Sequence, residues 1–207
     1  DIATGKQLWK YETGDKILGA PNWFQLGDQD LGLQIYRTHL LKTGHTLTQT
    51  TAQIAQRLNI QAQILPPSDD SVPTLIQLCD GQWISFQEYF VQRRHQDPIQ
   101  AVQFQNSTQT QLSPQVLAQL EKTTQVLIAP SNPIVSIDPI LAIGGLRQWL
   151  QHFKGPRIAI SPLIGGKALK GPAAHMMQAL GRQPNVLGIA QHYHGLIDTL
   201  IIDQQDQ

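Results

Sequence analysis

From Ser113 onward the chain repeats one unit: a short apolar run, a loop rich in small residues, and a stretch with helical spacing. The runs are TQVLIAP, RIAIS, NVLGIA and DTLIIDQ. Strands separated by helices require crossover connections, and right-handed crossovers build a parallel sheet. Such a sheet is buried on both faces, which is why its strands read as continuous apolar runs. The first helix of the series, SPQVLAQLEK, has Ser113 as cap and Pro114 at its first position, where the missing N–H costs nothing. The helix PILAIGGLRQWLQHF follows the loop SNPIVSID, with Asp138 expected as its cap ahead of Pro139.

The upstream rhythm is different. LGLQIYRTHLLKTG and LTQTTAQIAQRLNI place apolar residues at helical spacing, with Gly44 as the stop of the first and Thr48 near the cap of the second. QAQIL, PTLIQLC, QWISFQ and IQAVQF are short and alternating, and Asp80-Gly81 between two of them signals a hairpin. The expected organisation is a helical part over 1–59, an antiparallel β insert over 60–106, and a Rossmann-like half over 107–207. The fold class is read as α/β: a Rossmann-like three-layer core with a mainly parallel sheet and the small antiparallel insert.

Charge balance excludes one class of partner. Lys plus Arg and Asp plus Glu both number 15, so no global field draws the chain to nucleic acid or to an anionic membrane. No apolar run reaches the length of a membrane span and no leader is recognisable, so the reading is cytoplasmic. Cys79 is the sole cysteine, which excludes an internal disulfide and is read as an ordinary strand residue.

An anion site must therefore be local. Parallel sheets collect ligands at the carboxyl ends of their strands. Two post-strand loops there suit the task. Ser131, Asn132, Pro133 and Ser136 follow VLIAP, and the first two offer hydroxyl and amide groups at the sheet edge; a turn that only satisfies its own backbone is the plain alternative. SPLIGGKALKG follows RIAI. Gly165, Gly166 and Gly171 let backbone amides approach a ligand, Lys167 and Lys170 add charge, and Pro172 is expected to open a helix whose positive end faces the loop. It is neither a Walker loop nor GxGxxG. Asp28 and Asp30 in LGDQD, and Asp69 and Asp70 in PPSDD, suit magnesium as readily as they suit caps and turns. His192 and His194 lack a third ligand, and the aromatic cluster Phe86 to Phe90 suits packing as well as ring stacking.

PNWFQLGDQDLGLQIYRT, LPPSDDSVPT, FQEYFVQRR, IAPSNPIVSIDPILAI and ISPLIGGKALKGPAAHMM, taken in that order, resemble the 2-phospho-L-lactate transferase family of coenzyme F(420) biosynthesis across essentially the whole chain. The resemblance implies transfer of a 2-phospholactyl or phosphoenolpyruvyl group from its guanosine diphosphate derivative to the ribityl hydroxyl of the deazaflavin FO, with magnesium and release of GMP. It assigns the guanosine diphosphate to Ser131, Asn132, Pro133, Ser136, Gly165, Gly166, Lys170 and Gly171. Asp28 and Asp69 become metal ligands and Asp28 also a proton acceptor, while Gln25, Asp30, Asp69 and Asp70 face the substrates. A homodimer is a possible assembly.

The chain departs from the family pattern at three points: Gln29 stands for an arginine, Gln34 for a histidine, and Gln25 for a basic residue. The glycine-rich opening of the family is also absent from this sequence, as is the piece beyond IIDQ. The chain is thus expected to be a central and C-terminal portion, inactive by itself. Two other readings stay open. One is a sugar-nucleotide-binding regulator of the related gluconeogenesis-factor type, and the other is a degenerate domain without a ligand.

Overall fold

A computed structural model describes residues 28–165, 167–168 and 172–206. Two helices come first, α1 (Asp28–Lys42) and α2 (Leu47–Arg57). The cap of α2 is Thr46 rather than Thr48: its hydroxyl accepts from Gln49 N–H while the Gln49 side chain returns to Thr46 N–H. Thr48 N–H is taken instead by Asp69 Oδ1 at 2.6 Å, which ties the PPSDD turn to the helix start. The two helices are joined by Tyr36, which donates to Gln53 Oε1 at 3.1 Å and receives Arg57 Nε at 2.9 Å.

The antiparallel insert follows as β1 (Thr74–Leu78), β2 (Trp83–Ser85) and β3 (Ile99–Phe104), in the order β2-β1-β3. Its hairpin turns where Asp80-Gly81 predicted, because Gly81 sits at φ +89°, a backbone region closed to most side chains. Cys79 lies in this turn and is exposed, not within the strand. The run 61–65 is no strand; it crosses the surface with Ile64 45% exposed. A π-helical turn, Glu88–Gln92, swings the fully buried Tyr89 into the core beneath the sheet.

The parallel half contains α3 (Pro114–Leu120), β4 (Val126–Ile128), α4 (Asp138–Leu141), α5 (Leu146–His152), β5 (Arg157–Ile160), the two-residue strands β6 (Leu163–Ile164) and β7 (Lys167–Ala168), α6 (Ala173–Ala179), α7 (Val186–His192) and β8 (Thr199–Ile201). Ser113 and Pro114 open α3 as expected, with Ser113 Oγ accepting from Val116 N–H. The sheet order is β4-β5-β8, parallel throughout. Three expectations change. NVLGIA is helix, not strand: Asn185 caps it by accepting from Gly188 N–H, and Ile189 and Tyr193 share the inward face at a spacing of one turn. PILAIGGLRQWLQHF is two helices, broken where Gly144 and Gly145 take φ of +52° and +76°. The segment after RIAIS is a small antiparallel β6–β7 hairpin, not an open loop.

One hydrophobic core joins both sheets. It takes Ile76, Leu78, Ile84 and Ile99 from the antiparallel insert, Ile128 and Ala159 from the parallel sheet, and Leu150, Met176, Met177 and Ile189 from α5 to α7. Full burial of each large side chain contributes about 1.5–3 kcal/mol. The order β4-β5-β8 advances in one direction, so right-handed crossovers put all their helices on the same face. The opposite face of the strands carries Leu127, 61% exposed, and Ile201, 48% exposed.

Candidate functional site

The carboxyl ends of β4, β5 and β8 release three segments at one edge: the turn after Ile128, the β6–β7 hairpin, and the short turn Gln204–Asp206. Two contacts tie them to their surroundings. Asn132 Nδ2 lies 3.8 Å from Met176 Sδ on α6, and a Cβ added to Gly165 would sit 3.5 Å from Gln205 Oε1. Two post-strand segments that the sequence singled out separately, around Asn132 and around Gly165, therefore share one edge of the sheet.

The turn after β4 is built from its own side chains. Asn132 caps a π-helical turn, Pro133–Ile137, its Oδ1 accepting from Ile134 and Val135 N–H at 2.9 and 3.4 Å. Pro133 is fully buried beneath it, and Ser131 and Ser136 are half-buried. Asn132 thus spends its carbonyl oxygen on its own backbone, the role a turn residue would have without any ligand. Its amide Nδ2 donates toward Met176 Sδ on α6. On the β5 side, Ser161 Oγ both accepts from Leu163 N–H and donates to Leu163 C=O at 3.2 Å, fixing the strand's exit. Pro172 occupies the cap of α6, one residue earlier than the first helical position. Gln25, Gly166, Lys170 and Gly171 lie outside the described residues.

The acidic candidates separate. Asp28 is the first residue of α1, and Asp30 sits exposed in its first turn, so both are inside the helix rather than ahead of it. Asp69 is exposed and commits Oδ1 to Thr48 N–H. Asp70 lines a shallow groove of about 190 Å³ with Leu47, Ser68, Pro139 and Ile140, which brings the PPSDD turn beside the start of α4. Among the described residues no group of three or more His, Cys, Asp or Glu forms a metal cluster.

Asp138 has a different place from the one expected of it. It does not cap α4: Ile137 holds that position, and the Asp138 carboxylate faces sideways into an ionic cluster. Its Oδ1 receives Arg147 Nη2 at 2.8 Å and His192 Nε2 at 3.1 Å. His192 Nδ1 meets the Arg182 guanidinium. His192 is therefore no partner of His194, which is exposed. Tyr193, buried beside this cluster with its ring edge-on to His192 at 5.0 Å, has its phenol pushed well above the ordinary range by burial and then by the Asp138 charge. No spacing in the sequence signals a contact between residues 54 apart, although Asp138 and His192 were each singled out for other reasons.

Two other features are structural. Phe86, Phe90 and His95 stack in series at 5.5 and 5.3 Å, and Tyr89 donates to His95 C=O, so the aromatic cluster braces the insert. Arg157 grips Asp198 at the amino-terminal end of β5 and holds that carboxyl below its usual range through hydrogen bonds, far from the carboxyl edge.

A one-directional parallel sheet with its polar turns gathered at the carboxyl edge defines an α/β protein of Rossmann-like architecture, with that edge as its candidate site. The chain belongs to the 2-phospho-L-lactate transferase CofD family, whose model matches residues 4–207. It is 35% identical to the 2-phospho-L-lactate transferase of Methanosarcina mazei, an alignment covering 93% of this chain and 62% of that protein. Its identity to the 2-phospho-L-lactate transferase of Methanosarcina acetivorans is 37%, covering 92% and 61%. It is 35% identical to the phosphoenolpyruvate transferase of Mycobacterium avium, covering 90% and 58%. The chain thus spans about three-fifths of the length of these relatives. A crystal structure of a UPF0052-family protein from Bacillus halodurans superposes with a TM-score of 0.59 at 17% identity, covering 83% of this chain and 53% of that one, which is a likeness of fold.

Proposed function

We propose that this chain is part of a transferase that moves a 2-phospholactyl or phosphoenolpyruvyl group from its guanosine diphosphate derivative to the ribityl hydroxyl of FO. The observation that carries the reading is that the turn around Asn132, which touches α6, and the hairpin around Gly165, which approaches Gln205, leave the same carboxyl edge of the parallel sheet in a chain of this family. The ribityl oxygen forms a bond to the phosphorus bearing the three-carbon acid, and the bridging P–O bond breaks to release GMP. The hydroxyl proton passes to a base, for which Asp28 is the candidate.

Such a reaction asks for positioning and for stabilisation of charge on the phosphoryl oxygens more than for a covalent partner. Ser131, Asn132, Pro133 and Ser136 would shape one side of the nucleotide site, and Gly165, Gly166, Lys170 and Gly171 the other. Magnesium belongs to the same reading. It commonly binds through one or two carboxylates plus substrate phosphate oxygens, so it needs no preformed protein cage, and the neighbouring Asp69 and Asp70 fit that donor set. Asp69 retains Oδ2 while Oδ1 holds α2. When bound, the ion would offset the charge of the leaving GMP.

The test is to incubate the intact protein with FO, magnesium and each guanosine-activated acid, and to search by mass for the phosphodiester. Absence of product with both acids sinks the transfer. A second reading, a sugar-nucleotide-binding regulator without transfer, draws on Gln25, Gln29 and Gln34, which remove positive charge relative to the family pattern. A clear preference for uridine diphosphate sugars over GDP would favour it.

A further inference from the structure

The cluster around Asp138 does work that neither the core nor the nucleotide reading requires of it. Asp138 ends the π-helical turn whose first residue is Pro133, and its own N–H bonds Pro133 C=O. Its carboxylate is only 14% exposed and the His192 side chain only 4%. A buried carboxylate is costly unless it is paired and hydrogen-bonded. Both conditions are met here by residues from other elements, Arg147 on α5 and His192 at the end of α7.

The direction of each bond follows from the groups. A guanidinium can only donate, so His192 Nδ1 accepts from Arg182, which leaves Nε2–H to donate to Asp138. The ring therefore acts as a two-ended strut, with one acceptor and one donor, between the start of the segment linking α6 to α7 and the exit of the β4 turn. The other end of that turn is fixed by Asn132 Oδ1 and the buried Pro133.

We propose that Asp138 and His192 are positioning residues that bolt the exit of the 133–137 turn to α7, and so hold Ser131 and Asn132 at the carboxyl edge of the sheet. The consequence for ligand binding rests on the nucleotide reading above. The consequence for the turn does not.

The experiment compares the protein with His192→Leu and His192→Gln, because leucine keeps bulk without polarity while glutamine carries an NH2 donor group and a carbonyl acceptor at its tip. Amide hydrogen exchange is followed at Ser136, Ile137 and Asp138, whose N–H groups bond Asn132 and Pro133 C=O. His192→Leu should speed exchange there by roughly tenfold or more, the scale of one lost hydrogen bond to a charged group, with little change in β1 to β3. His192→Gln should restore the slow exchange. Equal exchange in all three proteins, or acceleration spread evenly over both sheets, overturns the proposal. If His192→Leu fails to fold, Arg147→Met, at a half-exposed side chain, provides the same reading. Titration of GDP onto the same variants separates the two ideas. Weaker binding only where the turn has loosened supports both, whereas a loosened turn in a protein that never bound GDP leaves the positioning role standing and removes the nucleotide reading.

Discussion

The two sheets are each buried on one face, but only one of them departs from what its strand type ordinarily does. The antiparallel sheet turns Ile76, Leu78 and Ile99 inward to 0, 3 and 2% exposure and leaves its other side wet, as antiparallel sheets ordinarily do. The parallel sheet buries Ile128 and Ala159 to 8 and 0%, yet its other face shows Leu127 at 61% and Ile201 at 48%. Parallel sheets are ordinarily covered on both faces. The difference teaches that one-sided burial is the ordinary state of the insert, while the parallel sheet presents a second apolar face within the described residues. The candidate site lies at the carboxyl edge of the parallel sheet.

Substitutions on the two sheets should therefore behave oppositely. Ile76→Ala, at a fully buried position of the central strand, should cost about 2–5 kcal/mol of unfolding free energy in urea, because it leaves a cavity at the heart of the shared core. A cost below about 1 kcal/mol would mean that the insert packs loosely. Leu127→Thr, one residue before the buried Ile128, should change stability by no more than about 0.5 kcal/mol, as exposed positions usually do. A larger loss would show that some other surface covers this face and would remove the contrast between the sheets.

Much of this was legible in the chain itself. Ser113-Pro114 announced α3, Asp80-Gly81 announced the hairpin, and the spacing of LTQTTAQIAQR announced α2, because each signal is local and each is carried by a backbone requirement. NVLGIA misled because six residues of apolar character do not distinguish a buried helix from a strand; its cap, Asn185, was the deciding group. QAQIL misled because it alternates without any partner strand beside it. At the site, the two post-strand segments were legible from small residues after apolar runs. The strut from Arg182 through His192 to Asp138 was not, since it depends on side chains brought together only by the crossover from β5 to β8.

The central claim is that the carboxyl edge between the β4 turn and the β5 segment holds a guanosine diphosphate. Calorimetric titration of GDP with magnesium onto the protein and onto Lys170→Ala tests it most directly. Binding by the parent protein, weakened in the variant by about 1–3 kcal/mol as expected for one lost hydrogen bond to a charged group, is the predicted result. Equal affinity in the two proteins would assign Lys170 to the surface and contradict the placement of the phosphates.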